Sequence, residues 1–141
     1  MNSNFRNIHI GKYIHLRVTE SNIDLPRICN FMKCTETEVS EMYMQEDLST
    51  HILLRWSKLL DYDFFRIYSQ HLILYAPPSA SFQKADNSSR LPRFRKNIYT
   101  REIIDFMLEL IEKKEKTKRQ ITEEYGIPYT TLCKWIAKHN K

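Results

Sequence analysis

Thr130, Lys134 and Lys138 follow one another at four-residue intervals in "EEYGIPYTTLCKWIAKHNK", residues 123–141 of a 141-residue chain. At about 100° per residue, a helix built from this stretch turns Leu132, Trp135 and Ile136 inward. Thr130, Cys133, Lys134 and Ala137 then face outward, with Tyr129 and Lys138 at the edges and Thr131 beside them in the first turn. An ammonium group can donate to guanine O6 and N7, and a threonine can hydrogen-bond a base or touch a thymine methyl. Thr130 and Lys134 are the best-placed candidates for reading base edges.

A second set of polar residues has the same layout and the opposite charge. In "CTETEVSEMYMQED", residues 34–47, Val39 and Met42 recur at helical spacing among polar residues that include Glu36, Thr37, Ser40 and Glu41. The stretch holds five carboxylates and no Lys or Arg. A glutamate can accept from a cytosine amino group, but such a cluster repels phosphates, so these four residues are read as partner-binding, with self-association or weak base readout as the alternatives.

Other chemistry is poorly provided for. His15, Cys29, Cys34, His51, His71 and His139 lack the paired spacing of zinc ligands, and no glycine-containing oxyanion loop accompanies any cysteine. Gly11 and Gly126 are the only glycines, too few for a phosphate-cradling loop. No catalytic residues, metal or cofactor are expected, and the chain is not read as an enzyme.

Charge is distributed unevenly along the chain. The net is +5; residues 1–75 carry 8 Lys/Arg against 9 Asp/Glu, net −1, and residues 76–141 carry 14 against 8, net +6. Basic charge gathered in one region is the footprint of a polyanion binder, although charge also serves solubility. The longest apolar run, "LILYA" at residues 72–76, is far short of the roughly 18 residues needed to span a membrane. With no secretory signal and an odd number of cysteines, the expected compartment is the cytosol.

The elements that must position these residues follow from hydrophobic period and punctuation. Two glycines and 42% apolar content favour an all-α fold. In residues 1–75, apolar residues recur at helical spacing from Ile10 to Leu60, with Asp24, Ser49 and Asp63 as candidate N-caps, predicting five short helices. The final "RIYSQHLILY" either continues the last helix or peels off as an arm. Residues 76–97, "APPSASFQKADNSSRLPRFRKN", form a basic linker broken by prolines and serines, of which about 16 flexible residues would span roughly 20 to 25 Å.

In residues 98–141, Thr100 opens a helix with Ile103, Met107, Leu108 and Ile111 on one face. Thr117 and Gln120 match a capping box for a second helix, Gly126 stops it, and Pro128 suits the opening turn of a third. Lys116, Lys118 and Arg119 at the start of the second helix are candidates for phosphates. Arg93, Arg95 and Lys96 form an arm suited to a narrow minor groove, or a merely basic linker. A short helix, a glycine turn and a second helix apolar only on its inner side is the helix-turn-helix pattern.

The residues also carry a resemblance. "YTREIIDFMLELIEKKEKTKRQITEEYGIPYTTLCKWIAKH" resembles the homeodomain-like helix-turn-helix domain of insertion-sequence transposases, through Glu124 to Pro128, then Thr131, Leu132 and Trp135. Residues 10–65 resemble the five-helix lambda-repressor and Cro domain, with Asn22 and Asp61 in turns that usually hold glycine. The whole chain is similar to short two-part transposase-like proteins of flavobacteria and relatives. The resemblance implies sequence-specific binding to double-stranded DNA, as a transposase-like protein or transcription regulator. It does not imply strand transfer, which needs a carboxylate metal site on a larger nuclease fold. A homodimer through the N-terminal domain would suit paired half-sites, with "HLILY" as its apolar contact. The alternative is a protein-interaction adaptor that uses both helical units to bind protein.

Overall fold

The computed structural model describes residues 3–76, 89–92, 94 and 99–140. Among them the chain is all helical, with one four-residue turn, α1 (Ser3–Arg6), and eight longer helices. These are α2 (Ile10–Ser21), α3 (Leu25–Met32), α4 (Glu36–Met44), α5 (Thr50–Leu60), α6 (Phe65–Tyr75), α7 (Arg101–Glu112), α8 (Lys118–Tyr125) and α9 (Tyr129–His139). The segment "RIYSQHLILY" is therefore helix, not an extended arm. Contacts divide the chain into two compact units: Asn7–Tyr68, and Met1–Arg6 with Ser69–Lys141.

In the Asn7–Tyr68 unit, α2 packs on α4 and α5, and α3 packs on the same two helices. Ile10, Ile14, Ile28, Val39, Trp56 and Phe64 are almost wholly removed from water. Burying each large apolar side chain contributes about 1.5–3 kcal/mol before the entropic cost of ordering it. The Trp56 indole N–H donates to Met42 Sδ at 3.2 Å, which gives its one polar atom a partner inside the core.

Gly11 fixes how closely α2 approaches α4. A Cβ at this position would lie 2.4 Å from Tyr43 O, 2.5 Å from Met42 O and 2.7 Å from Gln45 O, so no larger residue fits without backbone movement. The approach lets Ile10 and Gly11 N–H donate to Glu46 O and Gln45 O at 3.0 and 3.1 Å. Unpaired N–H groups at one helix start thus meet unpaired carbonyls just past another helix end.

Helix ends are set by local chemistry. Ser49 accepts from Ile52 N–H, and Asp63 accepts from Phe65 N–H at 3.1 Å, whereas Asp24 makes no side-chain cap bond and relies on Pro26 in the first turn. Asn22 and Asp61 both adopt the left-handed conformation, at φ 54° and 49°. Short polar side chains tolerate this region better than most, so the turns close without glycine.

In the other unit, Ile73, Leu74, Ile103, Met107, Leu110, Ile121, Ile127 and Leu132 form one buried cluster. Its members come from α6, α7, α8, the turn after α8, and α9. Gln70 is buried as well, and its side-chain oxygen accepts from Thr100 N–H at 3.0 Å, at the start of α7. His71 pairs with the backbone carbonyl of Phe5, and Phe5 packs against the same cluster. Of the segment "HLILY", Ile73 and Leu74 are thus buried within this unit, while Leu72 and Tyr75 are exposed.

Candidate nucleic-acid interface

The C-terminal candidates are held by α7, α8 and α9. Thr100 caps α7 by accepting from Ile103 N–H, and Lys114 at φ 58° turns the chain after it. The Thr117–Gln120 capping box is complete: Thr117 Oγ1 accepts from Gln120 N–H at 3.2 Å, and the Gln120 amide oxygen accepts from Thr117 N–H at 2.8 Å. Gly126 ends α8 at φ 68°, with its N–H donating to Thr122 O. Pro128 then takes the N-cap position of α9, one residue before the helix proper.

Leu132 and Ile127 are fully buried, and they anchor α9 against α7 and α8. Trp135 is half-buried, with its ring edge-on to Tyr99 at 5.1 Å, and Ile136 is half-buried. This leaves Tyr129, Thr130, Lys134, Ala137 and Lys138 exposed, whereas Thr131 and Cys133 are half-buried. Lys138 and His139 occupy the last turn of α9, where cations are favoured by the helix dipole.

The three cations around the start of α8 are not equivalent. Lys116 Nζ pairs with the Glu124 carboxylate and lies 5.4 Å from the centre of the Tyr125 ring. The hydrogen bond to Glu124 raises the Lys116 pKa above its ordinary value, so the lysine is committed to a contact within the unit. Lys118 Nζ sits 6.0 Å from the Tyr129 ring centre, which joins the first turns of α8 and α9. Arg119 is highly exposed, and its Nε meets Glu123 at 3.3 Å, an exposed i,i+4 pair of small energetic weight. Arg93, Arg95 and Lys96 lie outside the described residues.

The N-terminal candidates lie on α4. Glu36, Thr37, Ser40 and Glu41 are all exposed, and the Ser40 hydroxyl donates to Glu36 O at 3.2 Å. Thr35 and Glu38 form a second complete capping box, with Glu38 accepting from Thr35 N–H at 2.7 Å and donating its own N–H to Thr35 Oγ1. One of the five carboxylates in the acidic stretch therefore serves helix initiation. The T-x-x-E spacing signals it in the sequence, and the acidic pattern masks it.

Beside α4 a groove of about 350 Å³ is lined by apolar Met32, Met42, Leu48 and Ile52 and by Glu38, Glu41, Lys33 and Arg55. Its charged residues are of both signs. Arg55 also donates to Phe31 O and lies over the Phe31 ring, which ties the end of α3 to α5. Among the described residues no group of three or more His, Cys, Asp or Glu side chains could hold a metal ion, and no helix is long and apolar enough to cross a membrane. No family model, curated protein or solved structure matches the chain.

Proposed function

We propose that the protein binds double-stranded DNA sequence-specifically, as a transposase-like helix-turn-helix protein or transcription regulator, with α9 reading the major groove. The observation that carries this reading is the division of α9 into a buried side, Leu132, and an exposed side bearing Thr130, Lys134 and Lys138. A recognition helix requires one side held rigidly by the domain and the other free for base edges. The net +6 of residues 76–141 supports it through counterion release on phosphate neutralisation. Arg119 and Lys118 take the phosphate role, and Thr130 and Lys134 the base-reading role.

Selection from a randomised duplex pool tests the proposal, with Lys134→Ala as the control. An enriched motif that the variant loses is the expected result. No enrichment, with equal recovery for variant and wild type, overturns it.

A second reading is supported by α4, whose exposed Glu36 and Glu41 stand in a stretch without a single Lys or Arg. On that reading the chain is an adaptor that binds a protein partner, through Glu36, Thr37, Ser40 and Glu41. Side-specific variants separate the two: Lys134→Ala weakens binding to DNA, whereas Glu36→Gln with Glu41→Gln weakens binding to a protein partner of complementary charge. Self-association through the N-terminal domain is a further proposal, and sedimentation at tens of micromolar, on the order of many dimer dissociation constants, gives its test. A monomer under those conditions removes it.

A further inference from the structure

Cys29 and Cys34 occupy the two ends of one helix cap. At the end of α3, Lys33 takes the left-handed conformation, φ 53° and ψ 50°, and its N–H donates back to Cys29 O. The Cys34 N–H donates to the same oxygen at 3.2 Å. In a six-residue closure of this kind the side chains at the first and last positions frequently pack together. Here both of those side chains are thiols, and both are half-buried, so reagents in solvent can reach them.

Their surroundings agree with this proximity. Burial raises the Cys34 thiol pKa, Cys29 and Glu38 add to the rise, and Arg55 opposes it. Tyr43 on α4 is pushed up by burial first and then by both cysteines. Cys34 also lines the groove beside Glu38, Glu41 and Arg55.

We propose that Cys29 and Cys34 are a modification site, a thiol pair that closes to an intramolecular disulfide by exchange with a low-molecular-weight disulfide. One thiolate attacks a sulfur of the reagent and releases the first reagent thiol, leaving a mixed disulfide. The other thiolate attacks the protein-bound sulfur and releases the second. The two cysteine protons end on the two released thiols, and the two electrons pass to the reagent. The bond locks the turn immediately before Thr35, the residue that starts α4, and removes a free thiol from the groove.

Trypsin reads the outcome directly, because Lys33 lies between the two cysteines. Cleavage at Arg27, Lys33 and Arg55 places Cys29 in residues 28–33 and Cys34 in residues 34–55, while Cys133 falls in residues 120–134. The full chain with Cys133→Ser is treated with oxidised glutathione at pH 8, alkylated and digested without reductant. The expected product is peptide 28–33 joined to peptide 34–55, about 2 Da lighter than the two reduced peptides together, and reversed by dithiothreitol. Closure is expected to be at least about tenfold faster in native buffer than in urea, because the folded cap raises the effective concentration of one thiol at the other. Equal rates in both solvents, glutathione adducts that persist on either cysteine, or links only between two chains would each overturn the proposal. The wild-type chain gives an independent check: a dominant link from Cys133 to either cysteine also counts against it.

Discussion

Helices α4 and α9 are built alike and carry opposite charge. Each follows a short helix ended by a left-handed residue, Lys33 in one case and Gly126 in the other. Each drives one fully buried aliphatic side chain inward, Val39 or Leu132, and leaves a polar face exposed. The exposed face is Glu36, Thr37, Ser40 and Glu41 on α4, and Thr130, Lys134 and Lys138 on α9. Buried residues and turns decide where such a helix stands, whereas its outward residues decide what it can meet. Architecture alone does not make a DNA reader.

The comparison can be broken first at the buried anchors. Leu132→Ala should destabilise its unit by about 2–5 kcal/mol, and Val39→Ala by less, because fewer buried carbons are lost. Thermal denaturation monitored by circular dichroism measures both. If Leu132→Ala were harmless, α9 would not be anchored as described.

The next largest effect concerns recognition. Lys134→Ala should weaken binding to a selected duplex on the order of tenfold and relax preference at one base pair. Glu36→Gln with Glu41→Gln should leave specificity unchanged and raise affinity modestly at low salt. Fluorescence anisotropy against both variants decides it; a loss of sequence preference in the α4 variant would assign the base-reading role to α4.

The two capping boxes give a matched pair of smaller effects. Thr35→Ala and Thr117→Ala should each cost about 1 kcal/mol, since each leaves a backbone N–H without its side-chain partner. Chemical denaturation should give similar losses for the two. A large difference would mean that the caps serve different ends in the two helices.

The smallest effect separates the cations of α8. Arg119→Ala should reduce the slope of log affinity against log salt by about 1, as expected for one phosphate contact. Lys116→Ala should change that slope less, because Lys116 is already paired with Glu124. Equal slopes for both variants would remove the distinction drawn between them.

Much of the helical layout was legible in the sequence, because caps and apolar period are local. Thr100, Thr117 with Gln120, Ser49 and Gly126 lie where their side-chain or backbone chemistry predicts. The buried positions Ile103, Met107 and Leu132 follow from a 3.6-residue period. The Thr35–Glu38 box has the same signature, yet the density of carboxylates around it points to a charged face and hides the cap. Lys33 and Lys114 carry no such signature, since nothing about a lysine predicts left-handed backbone; the closing hydrogen bonds of the turn impose it.

Local sequence was enough to make the described residues helical, to gather the positive charge towards one end of the chain, and to put Thr130 and Lys134 on one face of α9. Those properties depend on neighbours within one or two turns. Packing between elements settles the rest: Gly11 is the point where α2 meets the end of α4, Ile73 and Leu74 are buried with Ile103 and Leu132, and Lys116 is held by Glu124. These contacts join residues eight or more positions apart, and no local period or propensity encodes which side chain beyond the next turn will fill a given space.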